Sequence, residues 1–384
     1  MLYRSLNGHH KKVNFETAVK NGLAEDGGLF FPEKISPINN EFIKNLDKYS
    51  NIDIAHEVIK QFIGDSINEK DLKEILSNTV DFDFPLIDLG NNIYSLELFH
   101  GPTLAFKDVG ARFMANCLGY FNKNKNITNT VLVATSGDTG AAVANGFFKV
   151  KGTNVIILYP ENKVSEIQER QLTTNGNNIT ALRVKGSFDD CQDMVKTAFI
   201  DPEYEDKIRL TSANSINIAR WLSQMFYYFI TYKKLAAQSK PIVFSVPSGN
   251  FGNLCAGLVA KLMGLPINHF IASTNVNDTV PRFLETGTYD PLKSVPTISN
   301  AMDVGAPSNF IRIEELHDYK LDRLRGNLSG FSYTDAEATA AMGHLLKKLN
   351  YIAEPHGAIG YLALKNYLKT KPDAQGIFLE TAHP

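Results

Sequence analysis

The chain has 384 residues, enough for two to three domains at roughly 150 residues apiece. Apolar residues make up 43% and charged residues 21%, which excludes an intrinsically disordered chain. Lys and Arg total 39 against 41 Asp and Glu, a net charge of -2, so the basic excess of a nucleic-acid binder is missing.

In chain order, residues 1–80 read as helix-rich: Phe15, Val19 and Leu23 fall at helical spacing, as do Ile54, Val58, Ile59 and Phe62. Between these two stretches, Asp26-Gly27-Gly28 to Pro32 reads as a Gly/Pro turn region. Leu86 to Leu89 and Ile93 to Leu98 read as short strands around Gly90-Asn91-Asn92. After residue 100, short apolar runs alternate with helical patterns. Val131 to Thr135 precedes a helix from about Thr139, Val155 to Tyr159 one over Ser165–Leu172, and Ile242 to Val246 one over Asn253–Met263. Phe270 to Ser273 and Gly376 to Ala382 read as further buried strands. Continuous apolar strands alternating with helices predict an α/β fold with parallel sheets covered on both faces, and a domain boundary near residue 95.

Cys117, Cys191 and Cys255 form no CxxC pair and no zinc-ligand spacing, and so few thiols point to a reducing compartment. The first twenty residues lack the apolar core of a signal peptide. The most apolar helical stretch, Trp221 to Tyr232, is too short to span a bilayer and carries Ser223 and Gln224. The expectation is a soluble cytoplasmic protein without a membrane or nucleic-acid partner.

Two Gly-rich turns stand where a strand ends and a helix starts: Thr135 to Gly140 and Pro247 to Asn253. There the first N–H groups of a helix lack partners and the dipole favours an anion. Neither turn matches GxGxxG or GxxxxGK[ST], so a nucleotide site has no specific support, and each alone reads equally as a tight turn without a ligand. Lys107 differs from the lysines in polar runs, because its neighbours in His100 to Gly110 are mostly apolar and a Gly-Pro turn precedes it. A desolvated lysine can act as a neutral amine and form a Schiff base; the alternative is a surface lysine with its head in water. One such lysine with two anion-cradling turns fits pyridoxal phosphate, one turn holding the cofactor phosphate and the other a substrate carboxylate. The chain has no His-x3-His and no GxSxG, which removes the zinc-protease and serine-hydrolase readings. Glu97–His100 and Glu314–His317 have Glu-x-x-His spacing without a further ligand, so no metal is expected.

These segments, in order, resemble the threonine synthase family of fold type II pyridoxal-phosphate enzymes. His100 to Asp108 (HGPTLAFKD) is similar to that family's lysine signature, and Ser136 to Gly140 (SGDTG) and Pro247 to Asn253 (PSGNFGN) to its two anion loops. Leu23 to Glu33 (LAEDGGLFFPE) resembles its N-terminal domain motif. Asn275 to Tyr289, Ser299 to Phe310 and Phe378 to Pro384 also follow its pattern. One departure is that the family usually continues several dozen residues past the segment that ends here at Pro384, which bears on how the last strand is covered.

The resemblance implies a helical N-terminal domain over 1–95 and a two-lobed catalytic domain over 96–384, its smaller, mobile lobe at roughly 125–215. It implies conversion of O-phospho-L-homoserine and water to L-threonine and phosphate, by a monomer or homodimer. Lys107 would carry the Schiff base and shuttle protons. Gly249, Asn250, Phe251, Gly252 and Asn253 would cradle the cofactor phosphate with N–H groups and side-chain amides. Thr381 would place a neutral hydroxyl near the pyridine nitrogen. Ser136, Asp138 and Thr139 would surround the substrate's amino-acid end, with the charge of Asp138 tolerable if it faces an ammonium group or accepts backbone N–H bonds. Asn217 and Arg220, three apart on one helix face, are the candidates for the substrate phosphate; Arg220 reads equally as the partner of an acidic residue, and Arg112 is a weaker alternative. His356 is expected to line the cofactor region or cap its turn. The competing functions are another fold type II enzyme, such as a threonine/serine dehydratase, a β-replacement enzyme or a phospho-amino-acid lyase, and a binding protein with a degenerate site. Products separate the first: an oxo-acid with ammonia, rather than threonine with phosphate.

Overall fold

The structure is a computed structural model that describes residues 1–123, 128–135, 137–201, 208–235 and 240–384. Its strands are β1 (Tyr3–Ser5), β2 (Phe30–Pro32), β3 (Leu86–Asp88), β4 (Ile93–Glu97), β5 (Asn129–Ala134), β6 (Thr153–Pro160), β7 (Ile179–Val184), β8 (Arg209–Ser212), β9 (Ile242–Pro247), β10 (His269–Thr274), β11 (Leu328–Ser332) and β12 (Gln375–Glu380). The chain divides into two compact units, and neither is contiguous. The first holds Met1–Ile35, Asn51–Asp81 and Lys107–Ser223; the second holds Ser36–Ser50, Phe82–Phe106 and Gln224–Pro384.

The first unit carries a parallel sheet in the order β7-β6-β5-β8. All six residues of β5 are buried, as a central strand with both faces covered requires. The Lys107–Asn122 helix buries Val109, Phe113, Met114, Leu118 and Phe121. The Phe15–Asn21 helix is fixed to β8 and to the helix start that follows it by polar bonds to one carbonyl: Thr211 Oγ1 and Asn217 Nδ2 donate to Val19 O at 3.0 and 2.9 Å. In this unit β2 pairs antiparallel with β1, so the segment expected to be only a Gly/Pro turn ends in a strand.

The second unit carries a mixed sheet in the order β11-β10-β9-β12-β4-β3, parallel except where β3 runs antiparallel to β4. Every residue of β9 and β12 is buried. The Pro355–Leu368 helix packs on them, with Tyr361 edge-on to Phe378 at 5.7 Å and Ser245 Oγ bonded to Gly360 O at 2.7 Å. The apolar stretch from Trp221 to Tyr232 is not one helix but belongs to two, Ile218–Leu222 and Met225–Leu235.

Candidate active site

In the first unit, β5 ends at Ala134 and Thr135 organises the turn that follows. The Thr135 hydroxyl accepts the N–H groups of Gly137 (3.0 Å) and Gly140 (2.8 Å) and donates to Gly137 O at 3.1 Å. This closes a tight entry into the Asp138–Gly146 helix. Asp138 stands in its first turn, and Asp138 Oδ2 lies 3.1 Å from Lys107 Nζ. Both side chains are largely buried, at 15% and 16% exposed. The sequence context of Lys107 is apolar, but a carboxylate brought from 31 residues away is its neighbour in space.

The other Asp138 oxygen is also held: Oδ1 accepts Gln168 Nε2 at 2.8 Å. Gln168 sits in the first turn of the Glu166–Thr173 helix, inside a capping box with Ser165. Its Oε1 accepts Ser165 N–H (3.1 Å) while Ser165 Oγ accepts Gln168 N–H (3.2 Å). Thr139 is partly exposed beside Asp138, and Ser136 lies outside the described residues.

Asn217 and Arg220 are placed differently from the shared helix face expected of them. Asn217 is the N-cap of the Ile218–Leu222 helix: its Oδ1 accepts Ala219 N–H at 3.1 Å while its Nδ2 anchors Val19. Both ends of the amide are therefore spent on the backbone. Arg220 is 2% exposed, its Nη1 donates to Ala213 O, and a Cβ on Gly110 would fall 2.9 Å from its Nε. Burial pulls its pKa down to about 10, with Asp108 acting in the opposite direction. Arg112 is bound to Asn78 O and to Asp81 at 2.6 Å.

In the second unit, β9 runs into the other turn. Among the described residues, the N–H groups of Gly249, Asn250, Phe251, Gly252 and Asn253 donate to no protein acceptor. Five successive free donors at the start of the Gly252–Leu262 helix make a nest for an anion. Phe251 takes a left-handed conformation (φ 62°), uncommon for a bulky residue. Its ring is buried and meets Phe310 edge-on at 6.0 Å, which holds the strained backbone in place. The segment after Ser299 backs the nest: a Cβ on Gly249 would fall 2.7 Å from Ala301 O, and Asn250 O and Oδ1 each accept a backbone N–H at 3.3 Å, from Asn309 and Ser308. Asn253 does not turn its amide toward the nest; its Nδ2 donates to Pro247 O at 2.8 Å and its Oδ1 caps Leu254 N–H. The Asn253 amide thus builds the loop, and the backbone supplies the free donors.

Thr381 follows β12 and is 5% exposed. Its carbonyl accepts Phe106 N–H at 2.9 Å and its hydroxyl lies 3.4 Å from Glu354 Oε1. With the Ala105–Ala382 bridge and the bond from His383 N–H to Leu104 O at 3.0 Å, this clamps the chain beside Thr381 up to the residue before Lys107. Glu354 is the N-cap of the Pro355–Leu368 helix, accepting from Gly357 (3.0 Å) and His356 (2.9 Å). His356 Nδ1 also bonds Glu354, and its Nε2 accepts Ala301 N–H at 3.2 Å, so this histidine ties the helix cap to the segment behind the nest. Glu97 and His100 share a bond of 2.7 Å, whereas His317 turns from Glu314 to the carbonyl of Ile313.

The sequence reading missed Gln168 and Glu354. Both stand at signals it could have used: a Ser-x-x-Gln capping box and a Glu directly before a Pro at a helix start.

The family described as "Pyridoxal-phosphate dependent enzyme" matches residues 82–378, and that described as "Threonine synthase N terminus" matches residues 2–80. Threonine synthase of Buchnera aphidicola subsp. Baizongia pistaciae is 49% identical over 386 residues, covering 100% of this chain and 89% of that protein. Threonine synthase of Escherichia coli K12 is 45% identical over 385 residues, with the same 100% and 89% coverage. The crystal structure of the Escherichia coli enzyme superimposes with a TM-score of 0.94 at 44% identity, over 100% of this chain and 89% of that one. The structure of a PLP-bound threonine synthase from Brucella melitensis does so with a TM-score of 0.92 at 36% identity, over the same shares of the two chains. Maize serine racemase, at 14% identity and a TM-score of 0.60, shares the fold alone.

Proposed function

The chain belongs to the threonine synthase family of pyridoxal-phosphate-dependent enzymes, and from that membership we propose how its residues divide the work on O-phospho-L-homoserine. Its activity is threonine synthesis, carried out as a pyridoxal-phosphate-dependent lyase. The observation that supports the division of labour best is the Lys107–Asp138 pair at 3.1 Å, joining two of the segments with chemical character in the sequence.

When bound, pyridoxal phosphate supplies an electron-withdrawing ring that makes the protons at Cα and Cβ of an amino-acid substrate removable. The residues fit that group. The N–H groups of Gly249 to Asn253 would hold its phosphate, because five free donors at a helix start suit a dianion. Lys107 would bond its aldehyde end and, once released, move protons at substrate Cα and then Cβ. Thr381 would present an uncharged hydroxyl to the ring nitrogen. Asp138 would hold the released amine of Lys107 between proton transfers, while Thr139 and Ser136 would meet the substrate's amino-acid end. Asn217 is committed to the backbone at both ends of its amide. Arg220 is buried and already donates to Ala213 O, so serving the substrate phosphate would ask a guanidinium held by the backbone to take that anion as well. We place the reaction in the cytoplasm and assign it to a monomer or homodimer. The buried free thiols of Cys117, Cys191 and Cys255 support this placement, and no helix among the described residues is long and apolar enough to cross a membrane.

Incubation with O-phospho-L-homoserine, assaying phosphate and threonine together, tests the reaction. Equal yields of both are expected, whereas an oxo-acid with ammonia would assign the chain to the dehydratase chemistry of the same fold. Lys107→Ala should abolish turnover and covalent retention of the cofactor; substantial residual activity would remove Lys107 from the role.

A further inference from the structure

Lys107 must be a free amine twice: before it bonds the cofactor, and again while it carries protons for the substrate. A free lysine amine on a flexible four-carbon stem has no inherent position. In this chain Asp138 is a neighbour that holds it, and Asp138 is itself held at both oxygens: Oδ2 at 3.1 Å from Lys107 Nζ and Oδ1 at 2.8 Å from Gln168 Nε2. A carboxylate with one oxygen free could rotate away from the amine; one with both oxygens bound cannot do so without breaking a bond.

The approach of Gln168 is built into the backbone on both sides. Its side chain crosses directly over Gly137, where a Cβ would fall 2.5 Å from its Cδ, Nε2 and Oε1. Gly137 also has φ 140°, a conformation open to glycine, so this one position meets two demands at once. On the far side, the Gln168 carbonyl oxygen is taken by Ser165 N–H at 3.1 Å, which orients the amide with its NH2 toward Asp138. An amide in the opposite orientation would set oxygen against carboxylate.

We propose that Gln168 is a positioning residue for the reaction: by fixing Asp138, it fixes where the free Lys107 amine stands. This rests on Lys107 being the residue that bonds the cofactor. The amine reacts only when neutral; Nζ then adds to the aldehyde carbon, and one water leaves as the C=N bond forms. The pH midpoint of that condensation therefore reads a change in the charged surroundings of the amine, which the Gln168 variants impose.

The test uses the full chain stripped of cofactor. Pyridoxal phosphate is added across a pH series, imine formation is followed by its visible absorbance, and the bond is trapped with borohydride for mass spectrometry. Gln168→Glu is the informative variant, because Glu at this position keeps the capping box with Ser165 but cannot donate to Asp138. It brings a second carboxylate to the pair, and the midpoint should rise by about half to one pH unit. Gln168→Leu removes the donor without adding charge, and the midpoint should fall by about half a unit as Asp138 turns away. With substrate, both should lower kcat about tenfold and leave KM little changed, since the amine is misplaced rather than the substrate unbound. Ser165→Ala, which removes the hydroxyl of the cap and leaves the Gln168–Asp138 bond, should lower the melting temperature without moving the midpoint. Midpoints of both Gln168 variants equal to wild type, with only the melting temperature changed, would overturn the proposal and leave Gln168 as a helix cap. Covalent trapping that survives Lys107→Ala would instead overturn the role of Lys107 itself, so the two failures are distinguishable.

Discussion

Glu380 is fully buried at the end of β12, in the company of other ionisable groups. Its Oε1 accepts Glu354 N–H at 2.6 Å, while its Oε2 meets no hydrogen-bond partner among the described residues. Burial, and then the neighbouring Glu354 and Glu97 carboxylates, push its pKa well above the ordinary value of 4.5. The Tyr351 hydroxyl, 3.1 Å from Glu97 Oε1 and 2.8 Å from Ser95 Oγ, is pushed up by burial and by the Glu380 and Glu97 carboxylates. Glu380 in the folded chain therefore keeps a proton that the unfolded chain releases near pH 4.5. Its contribution to stability is full below that pH and is lost as pH rises toward the folded value, by about 1.4 kcal/mol per pH unit for one proton. Glu380→Gln keeps the shape of the neutral acid and has nothing to ionise. Its melting temperature relative to wild type should climb steadily between pH 5 and pH 8; a difference that stays flat across that range would show that Glu380 is ionised in the fold. Neither the proton nor its cause could be read from the sequence, because Glu97, Glu354 and Glu380 are scattered over nearly three hundred residues and only β4, β12 and one helix start bring them together.

At the scale of the element, local preference and packing disagree at Gly357, in the first turn of the Pro355–Leu368 helix. Ala is ordinarily better than Gly inside a helix by about 1 kcal/mol. Here a Cβ would fall 1.6 Å from Glu380 Oε2, well inside contact distance with a buried side chain of the adjacent strand. Packing wins, and Gly357→Ala should destabilise the protein by about 2 kcal/mol or more. Glu380→Ala makes room for that methyl, so the double variant should recover part of the loss. A denaturant-unfolding double-mutant cycle reads the coupling, and strictly additive effects would rule the clash out. The same contrast explains which elements were legible. β5, β6, β9, β10 and β12 are central or well-covered strands with long apolar runs, and period and composition find them. β7, β8 and β11 were not found: ITALRV is largely half-exposed or exposed, RLTS is short and polar, and LSGFS carries a glycine. Each stands at a sheet edge, where such sequences guard against further pairing. Within the site, the two Gly turns and Lys107 were legible as local chemistry. The commitments of Asp138, Asn217, Arg220 and Asn253 were not, since each is decided by a partner that only the fold supplies.

At the scale of the whole molecule, a single cut near residue 95 does not follow the packing. The first unit takes Met1–Ile35 and Asn51–Asp81 together with Lys107–Ser223, so the N-terminal helices share a core with residues far beyond that cut. Phe15 meets the Phe121 ring edge-on at 6.2 Å, and Asn68 Nδ2 reaches the Tyr120 hydroxyl at 3.4 Å. Thr211 and Asn217 both bond Val19 O, as above, and Arg112 bonds Asn78 O at 2.8 Å. An excised 1–95 fragment loses all of these partners. It would expose Phe15 and Val19, both fully buried in the intact chain, and leave Val19 O without its two donors. A chain of that length has little apolar burial to spare against the conformational entropy of ordering its backbone. The fragment should therefore bind a hydrophobic dye and melt without a cooperative transition, while residues 1–223 should recover a sharp one, since that stretch holds every partner named here. A cooperative melt of 1–95 alone, with Phe15 protected from solvent, would show that the N-terminal helices carry a core of their own and that the boundary near 95 is a physical one.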